Sequence, residues 1–438
     1  MTEQTMTSYV IKDYQKQKPF SSFLSGIAGK MGIPLWAFYV NRGQLIASFG
    51  IRDKNGAIME FYPANLAYHY VSKIGFRTFI KVNQKVYEFF KEKNANQELS
   101  IESDQVSIEE TNLEIGIKVK VTYLTLPNEE VAALVRKVEI TNLNSMALDC
   151  EVIDGLAQIL PSGIDYGGYK AVSNLLQSWM QSIHEDHYIF YKLRASTGDS
   201  AEVSEVADGN FYLTKSTEKP LYISDYKLIF DEDTSLETPY LFEKHSVKEL
   251  AKIKQVHVNQ VPCAMSGFEF KNLTKQTFTS LIGYASNKDK IGELVHEMDG
   301  SYLIQKELEN KKIHDDLVQA IETKTSKPIL DAYFKQCYLD NLLRGGVPMI
   351  LKTLDGTIGY HLYSRKHGDL ERDYNFFSIE PAFYSQGNGN FRDVLQNRRN
   401  DLFFYPELGD FNIYQFVSLI QADGYNPLSI EGKIHVSW

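Results

Sequence analysis

For most of its length this chain is written in short alternating segments, and that pattern limits what it can become. Across residues 9–284 the segments are separated by Gly, Asn, Asp or Pro, and Gln44-Leu45-Ile46-Ala47-Ser48-Phe49-Gly50 is one of the clearest. Successive side chains of a strand point to opposite faces, so such segments build a sheet whose apolar face must be covered by another layer. A second clear segment, Val131-Ala132-Ala133-Leu134-Val135-Arg136-Lys137-Val138-Glu139-Ile140-Thr141-Asn142, places Leu134, Lys137 and Glu139 on mixed phases. Its β-branched residues and the Asn-Leu-Asn-Ser stop that follows still read as a strand. Many strands without long helices between them predict a large antiparallel β-sandwich. Asn55-Gly56, flanked by Ile51 and Ile58, is a two-residue hairpin signal.

The texture changes after the sandwich. Residues 291–325 carry Glu, Leu, Lys and Gln at helical spacing, and residues 329–344 put Leu330, Tyr333, Phe334, Cys337, Leu339, Leu342 and Leu343 on a broad apolar stripe ended by Gly345-Gly346. These predict linker helices packed against the sandwich. Beyond them lie irregular stretches with two helical pieces, at residues 392–404 and 412–422. The loop 360–389 is longer than compact domains normally allow without a job, and is expected to be functional. The fold class is therefore multi-domain β plus α: a sandwich over residues 1–288, a helical linker over 289–346, and a third unit over 347–438.

Length supports the division, since 438 residues exceed the size at which one core usually stops growing. The net charge of −10, with no Lys/Arg block, gives no attraction for nucleic acid or an anionic membrane. Met1-Thr2-Glu3-Gln4 lacks the basic-then-apolar plan of a secretory signal and no apolar run is long enough to cross a bilayer, so the chain is expected in the cytoplasm. Cys150, Cys263 and Cys337 are odd in number and far apart, which suits reduced thiols better than disulfides or a zinc cluster.

Several motifs look chemical and resolve otherwise. Gly26, Gly29 and Gly32 are followed by strand-like Leu35 to Val40 and not by a helix, so tight turns explain them better than a phosphate loop. His184-Glu185-Asp186-His187 lacks the spacing of a helical zinc motif and reads as a surface turn entering a strand; His257 stands apart. No metal site is expected. The densest polar cluster lies at residues 363–401, where Arg365, Asp373, Tyr384, Arg392, Asp393 and Gln396 mix with aromatic rings and flexible glycines. Carboxylate, guanidinium and amide groups together suit sugar hydroxyls, each of which both donates and accepts. Phe391 and Tyr384 are rings that could face a pyranose.

Gly389-Asn390-Phe391-Arg392-Asp393, followed by Gln396, resembles a segment of the phosphorylases of glycoside hydrolase family 94. Gly32-Ile33-Pro34-Leu35-Trp36 through Glu60-Phe61-Tyr62-Pro63-Ala64 is similar to the start of that family's 1,2-β-oligoglucan type, and Asn397-Arg398-Arg399 points the same way. The resemblance implies that residues 347–438 begin an (α/α)6 barrel, and that Arg392, Asp393, Gln396, Phe391, Tyr384, Arg365 and Asp373 hold an oligosaccharide. It also implies inorganic phosphate as co-substrate, no other cofactor, and an Asp acid lying further along the barrel. The chain is accordingly expected to stop short of its catalytic acid, with a second copy or a C-terminal half as partner. A hydrolase stays open, since Asp369, Glu371, Asp373, Asp393 and Asp401 offer acids, and so does a non-catalytic carbohydrate-binding protein.

Overall fold

The structure is a computed structural model that describes residues 8–91, 96–195, 206–345, 347–354, 356–362, 378–379, 389–399, 401–427 and 429–430. The alternating region folds into three antiparallel sheets. Nine strands form the largest, in spatial order Tyr9–Lys12, Asn96–Ile101, Gln105–Asn112, Ile117–Thr125, Ala132–Asn142, Lys275–Ala285, Gly209–Lys215, Ile189–Leu193 and Met180–His184. Five strands form the second, in the order Leu221–Ile223, Ala264–Leu273, Leu148–Leu156, Phe76–Val82 and Lys85–Phe89. Ser21–Leu24, Trp36–Val40, Ile46–Gly50 and Ala57–Met59 make the third. One core joins all three: Val121, Leu134 and Ile282 come from the first, Ile80, Val152 and Phe268 from the second, and Tyr39, Ile46 and Phe49 from the third. Each such side chain, fully buried, contributes about 1.5–3 kcal/mol, and this makes the sandwich the body of the molecule.

The strand Ala132–Asn142 shows why its sequence ran on mixed phases. Ala132, Leu134, Val138 and Ile140 enter the core between the sheets. Ala133 and Val135 lie on the opposite face, in a second core shared with Ile291, Leu294 and Met298. Further along that outer face Lys137 reaches Glu307 at 2.9 Å. The strand is covered on both sides, so both of its phases are apolar where a helix lies over it.

Those covering residues belong to the expected linker helices, although the run 291–325 is two helices and not one. Asn287 caps Lys288–Glu297 by accepting from the Lys290 N–H at 3.2 Å, and Asp299 caps Gly300–Val318 by accepting from the Tyr302 N–H at 2.7 Å. The second cap, which satisfies an orphan donor of a helix start, breaks the run. A third helix, Pro328–Gly345, packs through Tyr338, Leu339 and Leu342 on Val318 and Ile27.

Of the early glycines, Gly29 lies in a turn and Gly26 also takes a positive φ. Gly29 has φ +75°, and a Cβ there would meet the Asn128 side chain at 2.2 Å. Asn128 accepts from the Met31 N–H at 3.1 Å and donates to Glu309, clasping this loop to the Gly300–Val318 helix. The Asn55-Gly56 expectation needs correction. Strands Ile46–Gly50 and Ala57–Met59 do pair, but through Arg52–Asp53 and the 3-10 turn Lys54–Gly56, and Gly56 does not take the positive φ that a type I′ turn demands. The aromatic surroundings of Lys54 override the local signal: its ammonium lies 5.4 Å from the Phe61 ring centre and 4.9 Å from that of Tyr166. Helices Ala64–Ile74 and Tyr166–Gln177, inside the strand region, were not separated from it by pattern.

After residue 346 the described residues form a hairpin, Val347–Thr353 with Gly356–Leu362, then helices Phe391–Arg398, Asp401–Phe404 and Phe411–Ser418. The expected helical piece at 392–404 is two helices, Phe391–Arg398 and Asp401–Phe404, the piece at 412–422 is Phe411–Ser418, and the first three residues of the expected irregular loop belong to the second hairpin strand. Most of the rest of that loop lies outside the described residues; Ser378–Ile379 pairs with Arg52–Asp53 of the sandwich. The helical hairpins of a barrel are not seen among the described residues. No helix among them is long and apolar enough to cross a membrane.

Candidate functional site

The helix Phe391–Arg398 starts where Gly389–Asn390 pairs with Ser429–Ile430, so the chain enters it from a strand end. Phe391 is buried, with its ring edge-on to Phe416 at 5.7 Å, and Arg398 is buried at the other end. Arg392 and Gln396 are exposed, and their four-residue spacing sets them one turn apart on one side of the helix. Of the residues expected to hold sugar, these two stand together on an accessible face. Phe391 instead serves the packing that fixes the helix. The side chain of Asp393, and Arg365, Asp373 and Tyr384 altogether, lie outside the described residues.

Beneath the helix is a buried polar cluster. Arg398 Nη1 donates to Asp401 Oδ2 at 3.1 Å, and Asn412 Nδ2 donates to the same oxygen at 3.0 Å. His361 Nε2 approaches that oxygen to 3.7 Å from the hairpin strand. Asn412 also donates to the Arg398 carbonyl at 3.3 Å. Arg398, Asp401 and His361 are each no more than 3% exposed. Burial pushes the Arg398 guanidinium down, and the Asp401 carboxylate opposes that shift. Taken from water, these charges hold their geometry only while paired, so the cluster ties the three helices Phe391–Arg398, Asp401–Phe404 and Phe411–Ser418 and the hairpin into one support for Arg392 and Gln396. Arg398 and Asp401 stood in the polar cluster of the sequence, but they close one helix and open the next, and no local pattern announced that they pair with each other.

A second constellation lies in the sandwich. The expected surface turn at His184-Glu185-Asp186-His187 does join two strands, Met180–His184 and Ile189–Leu193. His184 itself is half-buried, its ring centre 4.5 Å from that of His257, and its Nε2 lies 2.8 Å from the Ser224 hydroxyl. Ser182 donates to Ser224 at 2.9 Å. Burial first, and then the His257 charge, lower the His184 pKa to about 4. The Ser224 hydroxyl is wholly buried, so no substrate reaches it as a nucleophile. Strands far apart in sequence bring these groups together, and no local pattern announces it. No group of three or more His, Cys, Asp or Glu is placed to hold a metal among the described residues. Cys150 and Cys263 are buried free thiols and Cys337 is an exposed one; burial pushes the Cys150 thiol up to about 12.

No known family profile and no curated protein matches the chain. Among solved structures it is similar to a bacterial glucoamylase complexed with acarbose, at 8% identity and TM-score 0.35, over 68% of this chain and 37% of that one. A putative kojibiose phosphorylase from the human microbiome aligns at 10% identity and TM-score 0.37, over 88% of this chain and 42% of that one. An inverting mannosidase from Bacteroides thetaiotaomicron aligns at 9% identity and TM-score 0.36, over 80% and 38%. The chain thus spans well under half the length of each of these three. Similarity this distant assigns no activity.

Proposed function

We propose that this chain is a carbohydrate-active protein that holds a β-glucan oligosaccharide at the helix Phe391–Arg398, as the N-terminal part of an inverting glycoside phosphorylase. The observation that carries the reading is the helix's division of labour: Phe391 and Arg398 anchor it, while Arg392 and Gln396 are exposed one turn apart on one side. The resemblance of Gly389-Asn390-Phe391-Arg392-Asp393 and Gln396 to the family 94 segment supports it.

In this reading Arg392 donates as a fixed fork to ring hydroxyls, the Gln396 amide donates and accepts, and the Asp393 carboxylate accepts. A phosphate oxygen bonds the anomeric carbon from one face as the glycosidic bond breaks on the other. The departing sugar oxygen takes its proton from an aspartic acid, and the products are glucose 1-phosphate and a shortened glucan. Phosphate is already an anion, so no protein base is needed to activate it. The described residues contribute binding and orientation to this scheme.

Incubation with β-1,2-oligoglucans in phosphate separates the outcomes. Glucose 1-phosphate supports phosphorolysis, free glucose supports a hydrolase, and binding without turnover supports a carbohydrate-binding role. Arg392→Ala is expected to weaken oligosaccharide binding roughly tenfold to a hundredfold, the worth of a charged hydrogen bond of about 1.5–3 kcal/mol, with an unchanged melting temperature. Titrations in which Arg392→Ala and Gln396→Ala both match the wild type would exclude the helix as the binding element.

A further inference from the structure

The outer edge of the nine-stranded sheet carries a groove of about 750 Å³. Its walls are the turn at residues 185–188, the stretch from Leu213 to Pro220, and the helix Lys288–Glu297. These walls are pinned to one another. The Glu185 N–H donates to the Tyr188 carbonyl at 2.9 Å, and Lys288 on the helix reaches the Glu185 carboxylate at 2.7 Å. The Tyr222 hydroxyl accepts from the Thr214 N–H at 3.2 Å and donates to the His187 carbonyl, which ties the turn to the neighbouring strand. The groove is therefore preformed, and its volume lies in the range of small-ligand sites.

Its lining has little net charge. Glu185 is answered by Lys288, and the carboxylates of Asp186 and Glu218 are matched by the ammonium groups of Lys215 and Lys219. Such a surface gathers neither anions nor cations. Leu213, Val295 and Met298 supply apolar ground, while the imidazoles of His187 and His296 and the Thr217 hydroxyl can donate or accept. Apolar contact beneath mixed donors and acceptors is what a pyranose ring requires, with its C–H face and its rim of hydroxyls.

Gly292 adds a separate observation. It lies inside the helix, where glycine is less favourable than alanine, yet an added Cβ would have no neighbour within 4 Å. Neither close packing nor a positive φ calls for glycine there. What the missing side chain leaves is open groove, since Gly292 lines it.

We propose that this groove binds a short segment of neutral oligosaccharide, at a site separate from the helix Phe391–Arg398 and independent of turnover. The test is isothermal titration of the full chain with β-1,2-linked, β-1,4-linked and α-1,4-linked gluco-oligosaccharides, on the wild type and on Gly292→Phe, Gly292→Ala, His296→Ala and Arg392→Ala. At least one oligosaccharide is expected to bind in a manner that survives Arg392→Ala and Gly292→Ala and disappears in Gly292→Phe, whose ring projects from a position where an added Cβ meets nothing within 4 Å. His296→Ala is expected to weaken the same event by up to about tenfold, the loss of one neutral hydrogen bond. The proposal is overturned if no oligosaccharide binds, or if Gly292→Phe binds as the wild type does. It is also overturned if Arg392→Ala removes all binding, a result that would leave the helix reading standing.

Discussion

Asp154→Ala is expected to destabilise the protein by about 3–5 kcal/mol, because it strands the Arg136 guanidinium in the sandwich core without its counter-charge. Both side chains are wholly buried and directly paired. Arg136 Nη2 also donates to Gln44 at 2.6 Å and to Thr78 at 3.2 Å, and its Nε donates to the Tyr123 hydroxyl at 3.3 Å. Thr78 in turn donates to the second Asp154 oxygen at 2.6 Å. Burial pushes the Arg136 guanidinium down, and the Asp154 charge together with Tyr123 more than offsets it, so the arginine stays charged. These partners come from the first two sheets and from the turn at Gln44 that joins two strands of the third, so the network holds the layers in register. A loss of that size is a large part of the 5–15 kcal/mol that a typical domain has, and urea unfolding would read it directly. The paired replacement Arg136→Met with Asp154→Leu removes both charges and is expected to recover most of the loss. An Asp154→Ala protein within about 1 kcal/mol of wild type would show that the pair is not the tie described here.

Acidification from pH 6.5 to 4 is expected to weaken the fold steeply through two histidines. His314 is buried in the Gly300–Val318 helix, where its Nδ1 lies 2.7 Å from the Asn310 carbonyl. A carbonyl only accepts, so Nδ1 carries the proton, and the Ser25 hydroxyl donates to Nε2. This arrangement requires a neutral ring. Burial lowers the His314 pKa from 6.5 to about 4, and burial with His257 does the same to His184. Between those values the unfolded chain binds protons that the native chain refuses, so stability falls with falling pH and levels off below about pH 4. Each group is worth on the order of 3 kcal/mol across that window. Asp104, whose carboxyl burial raises, works in the opposite sense, since its native form keeps a proton longer than its unfolded form. His314→Gln is expected to flatten the acid limb of a urea-midpoint profile measured at pH 7.5, 5.5 and 4.5. A His314→Gln profile parallel to wild type would remove His314 from this account.

How far the sequence carries depends on the range of the physics involved. The strands at Ile46–Gly50 and Ala132–Asn142, and the helices after residue 287, were readable because side-chain period and capping residues act within a few positions. The turn at Gly29 and the positive φ at Gly26 were readable for the same reason, since a positive φ is a local demand. The Asn55-Gly56 turn misled because Lys54 settles between rings contributed by residues outside that turn.

Around the candidate site, the sequence predicted a helical piece at residues 392–404 rich in groups able to bind hydroxyls, and nothing more local could be asked of it. Only the tertiary structure decided that Phe391 turns to Phe416, that Arg398 meets Asp401, and that Arg392 and Gln396 lie on an exposed face. The same holds in the sandwich, where Arg136 shares the inward phase of Leu134 and Val138. Whether that phase holds a charge depends on Asp154, Gln44 and Thr78, which other strands and loops bring across the core. Period is a property of neighbours along the chain. Burial and pairing belong to neighbours in space, and a single sequence does not state which those are.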